Sequence, residues 1–372
     1  MRLLLSVSCA LLALPILLTF DSMLMWKVTL GATEYGHRIA LAPLLLAAWS
    51  WRRRAWTGVL FNTVTALVLL SPLITAAFMA RTLPAELERA FGGKMPSTVL
   101  SWPDMFLGRA PAQQAPLLLT VPGSEPAAVT RRIHFHRADS ASPAPCIIYL
   151  HGGGWHSGSA LEFAEWSTHW TTQGYAVASI EYRLAPQWQW PAPLEDVRDS
   201  LAFLKTHAAE HGIDAQKLIL MGRSAGGQIA TAAAYSLNDP AILGCISIYS
   251  PGDMIFARRF AAPDDVLDST KLLRQYLGDD PAQAGANYLS ASGTLLAHPH
   301  SPPTLIIHGQ RDILVWHLQS HRLAEALQQQ RVPHYFLDLP WATHGLDFPF
   351  HGPGAQLSRY AMEQFLRRLT QG

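Results

Sequence analysis

The first 80 residues are dominated by three long apolar runs. Leu3–Phe20, Ile39–Trp51 and Ala55–Ala80 contain no charged residue. As a helix, the third run would be about 39 Å long, enough to cross a hydrocarbon core of about 30 Å. The first two runs reach that length only by including the flanks Met23–Trp26 and Tyr35–Arg38. The pattern predicts an N-terminal membrane region, residues 1–80, with about three transmembrane helices.

The first run has other possible interpretations, and basic residues predict an orientation. Arg2 followed by an apolar segment also fits a signal peptide, but no small-x-small cleavage site occurs near Asp21. A non-spanning arrangement is a further alternative. The short turn between the second and third runs holds Arg52–Arg54. Because basic loops favour the cytoplasm, we expect this turn and the N-terminus there, and everything after Ala80 on the extracytoplasmic side.

From about residue 131 the pattern changes to short apolar runs that alternate with amphipathic segments. Predicted strands are Ile147–Leu150, Ala176–Ile180, Leu218–Met221, Ile246–Tyr249, Leu305–Ile307 and Tyr335–Leu339. Predicted helices are Leu194–Ala209, Ala225–Leu237, Leu318–Gln330 and Gln356–Leu369. Buried parallel strands read as continuous apolar runs, so residues 131–372 are predicted to form an α/β domain with a mainly parallel sheet.

Two segments interrupt these patterns. Residues 81–130 are predicted to be a connector that contains one short helix, Pro84–Phe91, and a stretch rich in proline and alanine. Residues 251–303 separate two predicted strands and contain six prolines. An insertion of that size between strands is usually a lid over a functional site, so we predict a cap there.

Composition narrows the function classes. Of the 372 residues only 15% are charged, against about 25% in typical soluble proteins, and the net charge is +1. This low charge agrees with a membrane region and gives no reason to expect a nucleic-acid partner. Cys9, Cys146 and Cys245 lack the spacing of a disulfide framework or metal pair, so we expect buried thiols. The 16 histidines are scattered, so neither a metal nor an organic cofactor is expected.

A serine lies between glycines where a predicted strand meets a predicted helix. The segment Gly222–Gly226 has the pattern G-x-S-x-G, with Ser224 at its centre. Glycines allow the sharp turn that exposes a nucleophilic hydroxyl, and the N–H of Ala225 would face the substrate oxygen. The alternative is an ordinary tight turn in which the serine caps the helix.

A glycine-rich segment follows the first predicted strand. His151, Gly152, Gly153, Gly154 and Trp155 are consecutive. Consecutive glycines let several backbone N–H groups point into one small volume, as stabilisation of an oxyanion requires. The N–H groups of Gly153 and Gly154 are the predicted donors, together with the N–H group that follows the serine. A flexible loop is the alternative interpretation.

A carboxylate and a histidine follow two later strands. Asp312 comes after Leu305–Ile307, and His344 comes after Tyr335–Leu339. A serine needs a histidine base, and the base needs a carboxylate that fixes its tautomer. The order serine, aspartate, histidine is that of α/β-hydrolases. Asp338 and His308 are competing candidates that we expect to face the core or the sheet edge.

Five motifs together resemble those of the hormone-sensitive-lipase-like carboxylesterases of the α/β-hydrolase superfamily. They are HGGGWHSGS (151–159), YRLAP (182–186), PAPLEDV (191–197), GRSAGG (222–227) and IIHGQRD (306–312). The resemblance covers roughly residues 130–372 and does not reach the apolar runs. It implies an α/β-hydrolase fold, with Ser224 as nucleophile, Asp312 as acid and His344 as base, and an oxyanion loop at residues 152–154.

The resemblance also covers two acidic residues and has one departure. Glu195 and Asp196 match a segment that supports the active site in the family, although a purely structural role is an equal alternative. Arg223 stands where family members commonly have aspartate. The triad does not require that position, so the departure concerns electrostatics near the serine rather than activity.

The sequence thus predicts a membrane-anchored serine hydrolase that cleaves small-molecule or lipid acyl esters through an acyl-serine. Membrane lipids are the other expected partner. Acyl transfer, deacetylation or amide and formamide hydrolysis, acting on lipids or envelope glycans, are alternatives that use the same residues. An inactive hydrolase fold serving as a receptor or scaffold is a more distant alternative.

Overall fold

One eight-stranded mixed sheet organises the α/β domain in the computed structural model, which describes residues 2–122 and 131–371. The order across the sheet is β1-β2-β4-β3-β5-β6-β7-β8. β1 and β2 pair antiparallel at one edge, β2 is antiparallel to β4, and all later pairs are parallel. The strands are β1 (Leu117–Val121), β2 (Arg131–His136), β3 (Ala144–Leu150), β4 (Ala176–Glu181), β5 (Ile213–Arg223), β6 (Ile242–Ile248), β7 (Thr304–Gly309) and β8 (His334–Leu339).

Helices cover both faces of this sheet, and others form the N-terminal region that precedes it in the chain. They are α1 (Arg2–Leu17), α2 (Met23–Ile39), α3 (Leu41–Arg52), α4 (Trp56–Phe91), α5 (Trp102–Leu107), α6 (Ala164–Thr172), α7 (Ala192–Thr206), α8 (Ala208–His211), α9 (Ala225–Ser236), α10 (Met254–Phe260), α11 (Ser269–Leu277), α12 (Pro281–Ser290), α13 (Gly293–Leu296), α14 (Leu318–Gln329) and α15 (Pro353–Gln371).

Successive residues of the central strands point into two different cores, as the alternation of strand side chains requires. Ile148 and Leu150 of β3 belong to a core formed with α7, α9 and the helices α10–α13. Ile147 and Tyr149 belong to a second core formed with α4, α6 and α15. The sheet is therefore buried on both faces, and its parallel strands read as continuous apolar runs for that reason.

All six predicted strands and the α/β fold are confirmed, while strands β1 and β2 escape prediction, as do several short helices such as α5 and α6. β1 is half exposed, and β2 has the sequence RRIHFH, so neither forms an apolar run. Both lie in the antiparallel part of the sheet, where one face need not be apolar. α6, with the sequence AEWSTHWTT, is short and carries no clear helical period.

The N-terminal residues form four helices rather than three. Met23–Trp26 belongs to α2 and does not extend α1, and the flank Tyr35–Arg38 also lies in α2. In the described part of the chain, α4 is the helix whose length and composition would allow it to cross a membrane, and α1 is a shorter apolar helix. The prediction of three spanning helices therefore stays a prediction.

The helix predicted at Pro84–Phe91 is not separate, because it is the last part of α4. Leu83 and Leu87 are buried in the second core of the α/β domain, and the Tyr335 hydroxyl donates to Glu86 Oε2 at 2.6 Å. These contacts fix the last part of α4 on the α/β domain. The first half of α4 instead exposes large apolar side chains such as Leu60 and Leu67.

The helical region has a basic end and an end that touches the α/β domain. The Arg2 guanidinium lies 3.8 Å from the centroid of the Trp49 ring, close to the Arg52–Arg54 turn. At the other end of α1, Arg311 of the α/β domain donates to the Pro15 carbonyl at 3.2 Å. Arg2 and the arginine turn therefore lie at one end of the bundle and the α/β domain at the other.

The predicted cap region contains four helices. α10–α13 lie between β6 and β7, within residues 251–303. Several of their apolar side chains, including Leu272 and Tyr276, belong to the first core. The segment therefore packs against the domain as a folded unit above the carboxyl ends of the strands.

Candidate active site

The candidate nucleophile lies on a sharp turn between β5 and α9. Ser224 has φ 52° and ψ −122°, a combination that L-residues adopt rarely. A Cβ atom at Gly226 would lie 2.1 Å from the Leu150 carbonyl oxygen, so only glycine fits there. The Ser224 side chain makes no capping hydrogen bond to α9. The turn is therefore a strained loop that exposes the hydroxyl, rather than a helix cap.

The candidate acid and base are joined by a short hydrogen bond. His344 Nδ1 lies 2.6 Å from Asp312 Oδ2. Asp312 Oδ1 accepts from the N–H groups of Leu314 and Val315 at 2.8 and 2.9 Å. Burial alone would raise the pKa of Asp312, but the charge of His344 and the hydrogen bonds from both neighbouring histidines outweigh it and hold the pKa below its usual range. Asp312 is therefore an anion that can fix the tautomer of His344.

His308 is a second partner of the acid. It is fully buried, as expected, but its Nε2 atom lies 3.1 Å from Asp312 Oδ2 and its Nδ1 atom 2.7 Å from Ser320 Oγ. The sequence interpretation did not foresee this contact. The sequence feature that could have indicated this contact is a histidine near the end of β7, four residues before Asp312. Asp338 instead accepts from Gln310 at 2.8 Å on the outer part of β8.

Ser224 and His344 line one cavity. In the described part of the chain their side chains are not hydrogen-bonded to each other. Catalytic hydrogen bonds are often long or poorly aligned until a substrate binds. The lack of a hydrogen bond between the two side chains is therefore compatible with His344 acting as the base for Ser224. The arrangement brings serine, histidine and aspartate from three loops to the carboxyl edge of the sheet.

The glycine segment after β3 packs directly against the serine. A Cβ atom at Gly152 would lie 3.4 Å from Ser224 Cβ. Gly153 and Gly154 have φ of 111° and 57°, which favour glycine. Within the described residues, the N–H groups of Gly153, Gly154 and Ala225 donate to no other group. Three unused donors therefore lie beside the hydroxyl.

His151 and Trp155 hold the two ends of that segment. The His151 ring stacks on Tyr182 with centroids 4.3 Å apart, and the Tyr182 hydroxyl donates to the His151 carbonyl at 2.9 Å. Burial lowers the pKa of His151. Trp155 Nε1 donates to Gln228 on α9 at 2.8 Å, and its ring stacks on Tyr276 of the cap. These contacts fix the loop between the sheet, α9 and the cap.

Glu195 and Asp196 lie at the start of α7, away from the serine. Buried Asp196 binds both Arg131 and Arg183, while Glu195 pairs with Arg183 at 2.8 Å. Arg183 directly follows Tyr182, which binds the carbonyl of His151. The two acidic residues therefore reach the site only through the end of β4.

Arg223, for which the sequence suggested no role, forms a buried ion pair. Its Nε atom lies 2.5 Å from Asp347 Oδ2, and Asp347 Oδ1 accepts from the Tyr249 hydroxyl at 2.7 Å. The guanidinium also lies 4.4 Å from the centroid of Phe163. Burial alone would lower the pKa of Arg223, but the charge of Asp347 raises it above its usual value. The pair ties the residue before Ser224 to the loop that carries His344.

Two cavities meet at Ser224. The smaller, about 380 Å³, is bounded by the cap and the loop after β7 through apolar side chains: Phe256, Phe260, Leu272, Leu273, Val315 and Trp316. The larger, about 760 Å³, includes His344, Phe348, Met23 and Trp26. Ser224 and Gly154 line both. A bound substrate could therefore extend in two directions from the hydroxyl.

This fold and its glycine-turn serine define an α/β-hydrolase of the hormone-sensitive-lipase-like group. Residues 133–327 match the BD-FAE family, and the chain belongs to that family. Among solved structures, a bacterial heroin esterase superposes with a TM-score of 0.61 at 23% identity, covering 68% of this chain and 84% of that one. An esterase from Pyrobaculum calidifontis superposes with a TM-score of 0.58 at 24% identity, covering 68% of this chain and 86% of that one.

Curated relatives are similar over the same region. The probable carboxylic ester hydrolase LipM of Mycobacterium tuberculosis is 28% identical over 242 residues, which is 61% of this chain and 55% of that protein. Esterase LipC of the same organism is 28% identical over 244 residues, which is 61% of this chain and 59% of that protein. Mouse arylacetamide deacetylase is 36% identical over 115 residues, 29% of each. The chain thus spans little more than half the length of its mycobacterial relatives.

Proposed function

We propose that this protein is a membrane-anchored serine hydrolase that cleaves carboxylic esters through an acyl-serine intermediate. The observation that carries the proposal is the 2.6 Å hydrogen bond between Asp312 and His344, in a cavity shared with Ser224 on its strained turn. A hydrolytic serine needs a base with a fixed tautomer, and this pair supplies one. Two mycobacterial relatives are named as a carboxylic ester hydrolase and an esterase, which supports the same activity.

The first half of the reaction forms the acyl-enzyme. His344 takes the proton of Ser224 as the serine oxygen attacks the ester carbonyl carbon. The N–H groups of Gly153, Gly154 and Ala225 stabilise the oxyanion, and one such donor contributes about 3 kcal/mol to transition-state binding. The tetrahedral intermediate then breaks its bond to the alcohol oxygen, which leaves with the proton from His344.

The second half releases the acid. Water enters, gives a proton to His344 and attacks the acyl carbon. The bond to the serine oxygen breaks, and that oxygen recovers the proton from His344. The buried Asp312 carboxylate stabilises the histidine cation in both halves.

Covalent labelling tests this activity. A fluorophosphonate probe should label the purified protein, and Ser224→Ala should abolish both labelling and turnover of p-nitrophenyl esters. Ser236→Ala, at the other end of α9, is the matched control and should retain both. Turnover that persists in Ser224→Ala would contradict the proposal.

Amide hydrolysis is the second candidate, because the chain is similar to a protein named arylacetamide deacetylase. The same residues could attack an amide, with His344 giving its proton to the leaving amine. Paired substrates with one acyl group, an aryl ester and its anilide, separate the two. A larger kcat/KM for the anilide would favour deacetylation.

We further propose that α1, α3 and the first half of α4 lie in the membrane, with the α/β domain on the extracytoplasmic side. The basic end of the bundle, near Arg2 and the Arg52–Arg54 turn, lies opposite the end of α1 that contacts Arg311. The preference of basic residues for the cytoplasm supports this orientation. Alkaline phosphatase fused to the C-terminus should be active, whereas a fusion after Arg54 should not. The reverse pattern would overturn the orientation.

A further inference from the structure

Helix α2 of the N-terminal region forms part of the larger active-site cavity. Met23 and Trp26 both line it. Trp26 Nε1 donates to the backbone carbonyl of His344 at 2.9 Å, and its ring meets Phe348 edge-on at 6.4 Å. A residue of the N-terminal helices therefore touches the candidate base directly.

The position of His344 decides which part of an ester this cavity receives. His344 lines the larger cavity and is not among the residues that bound the smaller one. The departing alcohol oxygen must accept its proton from His344, so it lies on the histidine side of Ser224. The acyl group then extends toward the cap cavity, whose walls are apolar.

The side chains that line the larger cavity indicate the polarity and charge of the alcohol it would accept. Met23 and Phe348 are each 42% exposed at its rim, and Trp26 lies beside them. Glu162 and Glu165 also line it, and the positive charge of Arg223 is already neutralised by Asp347. Carboxylates accept hydrogen bonds from hydroxyl groups and repel phosphates. The cavity suits an alcohol that has both an apolar part and neutral hydroxyls.

The rim is close in sequence to the exposed apolar surface of the N-terminal helices. Leu17 and Leu18, at the end of α1, are 59% and 48% exposed, and Leu24 beside Met23 is 71% exposed. Exposed large apolar side chains on neighbouring helix ends are expected where a protein contacts a membrane. An amphiphilic alcohol could thus reach the cavity from the lipid side of the protein.

We propose that α2 forms the alcohol-binding side of the active site, and that the substrates are esters of neutral amphiphilic alcohols whose apolar part lies against Met23 and Phe348. This inference rests on the proposed ester hydrolysis and names its substrate class. Trp26 is a positioning residue in this arrangement, because it acts through the backbone of His344.

Two substrate series test the proposal with the full-length protein in detergent. The first holds the acyl group as acetate and lengthens the alkanol from ethyl to dodecyl. The second holds the alcohol as ethanol and lengthens the acyl chain. In wild type, kcat/KM should rise along the alkanol series. Met23→Ser and Phe348→Ser should each reduce that rise by about three- to tenfold, since apolar burial is lost, while the acyl series keeps its slope.

Leu24→Ser is the matched control. Leu24 lies on α2 beside Met23, is exposed and does not line the larger cavity. It should keep the wild-type slope in both series. A dodecylglycerol acetate should also be preferred at least tenfold over the same ester bearing a phosphate. Equal effects of Met23→Ser on both series, a flat alkanol series, or preference for the phosphate would overturn the inference. Absence of Ser224-dependent turnover of every ester would instead overturn the proposed hydrolysis itself.

Discussion

Replacing Asp347 with alanine should destabilise the protein strongly, because it leaves a buried cation without its partner. Arg223 is 2% exposed and Asp347 is fully buried. A guanidinium is too basic to be deprotonated inside a protein, so Arg223 cannot lose its charge instead. Breaking a buried pair by removing one partner costs about 3–5 kcal/mol, and in a domain of this size that lowers Tm by roughly 6–20 °C.

The same change should slow catalysis more than it weakens binding. Asp347 lies three residues after His344, and its carboxylate holds both Arg223 and Tyr249. Loosening this loop displaces the base, and an error of about 1 Å can cost about 100-fold in rate. We expect kcat to fall about 10- to 100-fold with a smaller change in KM.

The assays are thermal unfolding by circular dichroism and ester kinetics, for Asp347→Ala, Arg223→Asp and the double variant Arg223→Met with Asp347→Leu. Arg223→Asp should be at least as unstable as Asp347→Ala, because it buries two facing carboxylates. The double variant removes both charges and should recover most of the lost stability. A Tm for Asp347→Ala within about 2 °C of wild type, or a double variant no better than the single ones, would refute the reasoning.

Three further predictions concern the acid and its neighbours. Asp312→Asn should lower kcat by roughly 10³–10⁴-fold in ester assays, since His344 loses the carboxylate that fixes its tautomer; a loss below tenfold would exclude Asp312 as the acid. His308→Gln should lower kcat about tenfold through the loss of one hydrogen bond to Asp312, while Asp338→Asn serves as control and should match wild type. Because the pKa of Asp312 is lowered in the folded protein, its stabilising contribution is present above about pH 4 and is lost as pH falls through the lowered pKa. The stability gap between wild type and Asp312→Asn should accordingly narrow in acid, and denaturant titrations from pH 6 to pH 2 check this; a constant gap would contradict it.

Local patterns were sufficient for much of the fold and for the candidate residues. The parallel strands are buried on both faces, so each reads as an apolar run that can be identified without its neighbours. Likewise, the turn around Ser224 and the glycines after β3 impose backbone requirements that a few adjacent residues satisfy. The antiparallel strand β2 was missed because its sequence RRIHFH meets no such local requirement.

Only the tertiary structure decided which distant groups meet. The sequence favours Asp312 as the acid, but its hydrogen bond to His344 joins two loops, and Asp338 instead accepts from Gln310. Arg223 and Asp347 are 124 residues apart, and Trp26 and His344 are 318 residues apart. Such pairings depend on how helices and loops pack around the sheet, and no periodicity along the chain records that packing. The sequence by itself therefore determined the parallel part of the sheet and the candidate residues along its carboxyl edge, while the packing of α2 and the loop after β8 determined what surrounds the serine.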